Sequence, residues 1–206
     1  MKMNKTISKL GALLVTISVA LFALFIPFSN FWSYFVCMIL AFAYLIMAAG
    51  FHSESDREHK VASNAGMLFA AVYAVLILLV YFAQTTAVRV SDLNTQAMHL
   101  INYSYGGLFF FYDLLGYGMM ALSTFFFGLA MKAETKVDKW LKWLLIIHGV
   151  FFFGCFIMPM TGVINSMADG SSSSGGVIAL EFWCAYFIPI GILAFIHFNR
   201  KKSNLD

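Results

Sequence analysis

Asp113, His148 and Glu181 are the ionisable residues that fall inside long apolar stretches of this chain. A charge there is costly enough to count as a functional hypothesis by default. At a helical rise of about 1.5 Å per residue, Asp113 sits about 9 Å and Glu181 about 6 Å below one membrane surface, whereas His148 sits about 20 Å below it. The carboxylates share a level, and an Asp113–His148 acid/base dyad is ruled out by depth. Gly116, Tyr117, Met120 and Thr124 recur with Asp113 on one helical face, small and polar enough for a bundle interior. Gln84 and Tyr81 end an earlier apolar stretch, Glu181 begins the last one, and Arg89 is the lone positive charge on that side. Together they predict an outward-facing polar cavity in which Asp113 is central, Gln84 and Tyr117 orient a ligand, and Glu181 adds a second carboxylate. Arg89 or a ligand cation balances the charge. The competing expectation gives Asp113 a tyrosine hydroxyl or Gln84 as partner and makes the group interhelical glue.

Other chemistries find less support. His148 has no His, Cys or carboxylate three or four residues on, so it reads as a hydrogen-bonded packing residue rather than a relay or ligand. In His52-Ser-Glu-Ser-Asp-Arg-Glu-His59, a continued helix would set His52, Asp56 and His59 on one side, a possible divalent-metal arrangement, against the plainer reading of a self-neutralising loop. No metal site, cofactor or catalytic residue is expected: hydrolase, zinc-protease, nucleotide and haem-attachment motifs are absent. Cys37, Cys155 and Cys184 lie in apolar runs without a C-x-x-C pair and read as small buried residues, with a disulfide between two of them as the alternative.

The elements that must position these residues follow from composition. Of 206 residues, 61% are hydrophobic and 11% charged, against about 25% charged in a soluble globule. Twelve of the thirteen Lys and Arg residues fall in four clusters separated by pairs of apolar stretches: Lys2, Lys5, Lys9; Arg57, Lys60; Lys132, Lys136, Lys139, Lys142; and Arg200, Lys201, Lys202. Short Lys/Arg-rich loops stay cytoplasmic. The predicted fold is an all-α integral membrane bundle of six transmembrane helices, one domain over residues 1–206, with both termini cytoplasmic in the cell membrane. Six spans of about 20 residues leave no room for a soluble catalytic domain. The basic residues beside span ends meet anionic headgroups, so the bilayer is the partner and nucleic acid is not. The first run, Leu10 to Phe28, is too long for a cleavable signal and ends in Ile26-Pro27-Phe28, so it reads as a retained helix.

Spans are expected near Phe31–Gly50, Ser63–Gln84, Gly107–Met131, Trp140–Thr161 and Val177–Phe198. Between the third and fourth, Ser91 is expected to cap a short surface helix presenting Leu93, Ala97, Leu100 and Ile101. Lys132 to Lys139 reads as a loop, and Gly170 to Gly176 as a flexible connection. Pro159 and Pro189 are candidate helix breaks. Small residues at Ala70 and Ala74, and at Thr124 and Gly128, mark candidate helix contacts.

Tyr81-Phe-Ala-Gln84, followed by Tyr112-Asp113-Leu-Leu-Gly116-Tyr117, resembles a pattern in uncharacterised small bacterial six-helix multi-pass membrane proteins over about Tyr81 to Gly128. That resemblance implies bacterial membrane residence and no activity. The small stripe Ala12, Thr16, Ala20 is similar to one in vitamin-binding subunits of energy-coupling transporters, although the short turn after the first span departs from their long capping loop. The residues favour a protein that binds or passes a small solute near Asp113. The alternatives are a structural or regulatory membrane protein without substrate and, third, a membrane enzyme using Asp113 and Glu181.

Overall fold

The structure is a computed structural model that describes residues 2–162 and 173–200. Chain order is α1 (Lys2–Phe25), α2 (Asn30–Glu54), α3 (Lys60–Thr85), two short helices α4 (Ala87–Val90) and α5 (Thr95–Ile101), and a 3-10 turn at Tyr103–Tyr105. Then come α6 (Leu108–Ala130), α7 (Lys136–His148), α8 (Phe151–Ile157) running into a 3-10 turn at Met158–Thr161, and α9 (Ser173–Asn199). Among the described residues, six helical stretches are long and apolar enough to cross a membrane, with Lys136–Thr161 as the fifth.

The surface of the bundle has the inverse pattern of a soluble protein. Along α1 the exposed positions are Leu10, Leu13, Ile17, Leu21 and Leu24, and along α3 they include Leu68, Val72, Val75, Leu79 and Phe82. At helical spacing these are continuous apolar faces turned outward, which only a lipid solvent accommodates. The side of α1 that faces its neighbours carries Ala12, Val15, Val19 and Phe22. Ala20 is exposed, so the small stripe expected in the first span turns instead through Ala12 and Val15. The chain packs in series: α1 on α2 and α9, α2 on α3, α3 on α6, and α6 on α7 and α8. Ala70, Ala74 and Thr124 are buried, and Gly128 lies against Ile146 of α7, as the small-residue pairs require.

Members of all four basic clusters meet at one end of the bundle. Lys5 Nζ donates to the Arg200 carbonyl at 2.8 Å, Lys9 Nζ to Asn199 Oδ1 at 3.1 Å, and Lys60 Nζ to the His52 carbonyl at 3.4 Å. Lys132 pairs with Asp56 and, together with His59, holds that carboxyl well below the usual carboxylate range. Asp138, which is buried, is the hub: its Oδ2 pairs with Arg200 at 2.7 Å and its Oδ1 with His197 at 2.7 Å, and His197 reaches Glu54 at 3.0 Å. This basic end is tied shut across α2, α7 and α9.

Several local expectations are corrected. α7 starts at Lys136, four residues before Trp140, because Thr135 caps it and Asp138 returns the bond to the Thr135 N–H, a capping box that overrides the loop reading of the lysine cluster. The surface helix between the third and fourth spans begins at Thr95, capped by the Asn94 side chain accepting from Ala97 N at 2.8 Å. Ser91 instead ends α4, and Leu100 is exposed. The fifth span is interrupted at Gly149–Val150, ahead of Pro159, the second residue of the closing 3-10 turn. Pro189 lies within the unbroken α9. Ser173 to Gly176 belong to α9, while the rest of the expected Gly170–Gly176 connection lies outside the described residues.

Candidate functional site

Asp113 sits in the second turn of α6, in the half of the bundle away from the basic end, and is 1% exposed. Its Oδ2 accepts from the Tyr103 hydroxyl at 3.3 Å, long for an O–H···O bond, the Tyr81 hydroxyl also faces the carboxyl, and its Oδ1 lacks a hydrogen bond of good geometry. Tyr103 arrives from the cover that α4, α5 and the 3-10 turn form over this end. Gln84, buried at the end of α3, clamps that cover with both amide atoms: Nε2 donates to the Ile101 carbonyl at 2.7 Å, and Oε1 accepts from Tyr103 N at 2.9 Å. Gly106 takes a left-handed φ of 64°, and a Cβ at Gly107 would come 2.2 Å from the His99 carbonyl oxygen, so the turn into α6 is built on backbone that only glycine permits. Burial, and then the neighbouring Asp113, push the Tyr103 hydroxyl well above its ordinary pKa, so it acts as a donor.

The walls are aromatic. Tyr34, Tyr81 and Tyr103 lie ring against ring at 5.2 to 6.2 Å, and Phe110 meets Tyr103 edge-on at 5.2 Å. Deeper in, the Tyr117 hydroxyl and Cys37 Sγ are 3.7 Å apart, and Trp183 of α9 packs edge-on against Tyr117 at 5.0 Å. The cysteines are free thiols.

The structure brings Asp113, Gln84 and Tyr117 into one region, Gln84 through the cover rather than toward a ligand. Arg89 does not join them: its guanidinium lies 4.6 Å over the Phe31 ring, a cation–π contact at the rim. Glu181 is half-buried and makes no hydrogen bond or ion pair among the described residues. Among the described residues, the apolar grooves on the bundle surface include one of about 820 Å³ bordered by Phe42, Leu79 and Phe82 and one of about 300 Å³ bordered by Tyr112, Cys155 and Pro159. Asp113 borders neither.

His148 is fully satisfied. The Trp183 indole N–H only donates, so His148 Nε2 accepts from it at 3.0 Å. Thr124 Oγ1 donates to the Ala121 carbonyl at 2.9 Å and therefore accepts from His148 Nδ1–H at 2.8 Å. The ring is neutral and locks α6, α7 and α9 together. At the basic end, His52 turns to Ser63 at 2.8 Å instead of joining Asp56 and His59. Ligand atoms of Asp56, Glu58 and His59 lie within 4.8 Å of one another, but Lys132 and His59 already occupy the Asp56 oxygens.

Sequence reasoning missed Tyr103 and Cys37 as neighbours of this region and Asp138 as a hub. The Thr135-x-x-Asp138 capping signal was there to be found. So was the seven-residue step from Cys37 to Tyr44 on one face of α2. No family model matches the chain, and no curated protein or solved structure matches it either. The resemblance drawn over Tyr81 to Gly128 therefore contributes no family and no activity, and the six long apolar helices describe a multi-pass membrane protein in contact with lipid.

Proposed function

We propose that this protein binds or passes a small solute at the polar site around Asp113, with the Gln84-clamped segment as its movable cover. The observation that carries the reading is the unpartnered Asp113 Oδ1, buried beside a ring of tyrosines. Burying a carboxylate costs more than burying an amide that would do the same gluing, and leaving one of its oxygens unbonded adds to the cost. Asp113 and Tyr117 are the proposed contacts, and Gln84 is a positioning residue that acts through the cover. Arg89 and Glu181 are proposed as charges at the rim rather than direct contacts. With basic loops retained inside, both termini are cytoplasmic and the cover faces outward.

The structural reading draws support from His148, whose bonds are complete and serve only to join helices. An enzyme would need a second reactive group level with Asp113, and Glu181 stands outside the hydrogen-bonded group.

The test is a thermal melt of purified protein in detergent against a panel of small ammonium, amino-acid and polyol solutes, repeated with Asp113→Asn. A solute that raises the wild-type melting temperature is expected to lose at least about tenfold in affinity in the variant, the worth of one charge-assisted hydrogen bond. Equal stabilisation of both proteins removes Asp113 from the site.

A further inference from the structure

The groove of about 820 Å³ has a charged mouth. Its walls include Met38 and Phe42 of α2, Leu79 of α3 and Phe109 at the start of α6, and Thr86 and Ala87 border it where α3 gives way to α4. Two residues beyond Ala87, the exposed Arg89 lays its guanidinium 4.6 Å over the Phe31 ring, and Phe31 in turn stacks on Phe35 at 6.3 Å. The steps from Phe31 to Phe35, Met38 and Phe42 are those of one helical face. That face leads from the guanidinium into the groove.

Arg89 is equipped to hold an anion there. A guanidinium carries five N–H donors in a planar fork. The Phe31 contact engages its face and leaves its edges, and among the described residues the side chain makes no hydrogen bond or ion pair. Asp92, the nearest acid in sequence, is exposed and does not pair with it. Every other Lys and Arg among the described residues belongs to the clusters of the basic end. The free edge of the fork matches two oxygens of a phosphate.

Length favours a lipid over a soluble anion. From Phe31 to Phe42, α2 rises about 16 Å, roughly half of a hydrocarbon core of about 30 Å. A groove that starts at an interfacial cation and descends one leaflet has the dimensions of an acyl chain hanging from its headgroup. Bulk lipid needs neither a concave seat nor a cation at its mouth.

We propose that this groove is a docking site for one anionic phospholipid, its phosphate on the edge of Arg89 and an acyl chain along Met38, Phe42 and Leu79. Phe31 is a positioning residue that holds the guanidinium at the mouth. Because α4 carries Arg89 and belongs to the cover over Asp113, the bound lipid braces that cover from its lipid side. The inference goes beyond the Asp113 site and does not depend on it.

The experiment uses the full chain in a non-ionic detergent with added phosphatidylglycerol, and native mass spectra count the lipids that each protein retains. Lipids held by the basic clusters are common to all variants and cancel in the comparison. Wild type is expected to retain one phosphatidylglycerol more than Arg89→Gln, whose site should bind at least about fivefold more weakly, the worth of one arginine near anionic lipid. Leu79→Trp, which fills the groove from an exposed position, should lose the same lipid. Phosphatidylcholine of equal chain length should give equal counts in wild type and Arg89→Gln. Equal phosphatidylglycerol counts in those two proteins overturn the proposal, as does a Leu79→Trp protein that keeps the extra lipid. An equal difference with phosphatidylcholine also overturns it, since charge would then not be read. So does a wild-type dimer that Leu79→Trp abolishes, because a second copy would cover this face. Neither variant touches Asp113, so this proposal and the solute site fail separately.

Discussion

Replacing Asp138 with alanine is expected to destabilise the bundle by about 3 kcal/mol, read as a fall of several degrees in melting temperature in detergent. Three losses coincide. The start of α7 loses half of its capping box, because the Thr135 N–H no longer meets Asp138 Oδ2 at 2.9 Å. Arg200 loses its carboxylate partner on the same oxygen, and His197 loses the one on Oδ1. The figure is the low end for a broken buried pair because Arg200 is 30% exposed and can turn to water. Asp138→Asn keeps a capping acceptor while removing the charge, so its loss should be smaller. Equal losses for the two variants would mean that the charge carries the whole effect and the capping acceptor contributes nothing.

His148→Leu is the second large effect, expected to cost about 2 kcal/mol, since it leaves the Trp183 N–H buried without an acceptor. The imidazole also stands among Phe151, Tyr186 and Phe187 at ring distances of 5.2, 5.9 and 5.1 Å, so the leucine must fill a slot shaped for a flat ring. Adding Trp183→Phe removes the orphaned donor, and the double variant should recover part of the lost stability. A double variant less stable than His148→Leu by the full cost of Trp183→Phe alone would show that the two rings are not coupled.

The spans were legible in the sequence because two independent signals agree: apolar runs of membrane length, and basic clusters placed between pairs of them. Members of those clusters do meet at one end, through Lys5 with Arg200 and Lys132 with Asp56. The interruption of the fifth span was read at Pro159, the residue that cannot donate, whereas the chain turns at Gly149–Val150 directly after the His148 lock. Asp113, Gln84 and Tyr117 were legible because polar side chains in an apolar run stand out. Tyr103 was not, since its approach to Asp113 depends on a cover folding back and on Gln84 holding it, which no helical periodicity encodes. Arg89 was assigned by charge complementarity alone, and the Phe31 face offers the guanidinium a contact without drawing it into the core. The Tyr44–Ser123 bond joins residues on different helices, so it appears only once α2, α3 and α6 are packed.

Whether Asp113 serves a function or holds helices together is tested most directly by the melting temperature of Asp113→Leu in detergent. A buried carboxylate with one oxygen unbonded, held only by the Tyr81 and Tyr103 hydroxyls, stabilises the fold less than an apolar side chain of similar volume. The expected result is a melting temperature equal to or above that of the wild type, together with loss of any solute-induced shift. A melting temperature several degrees below the wild type would show that Asp113 is interhelical glue and would contradict the assignment of this site.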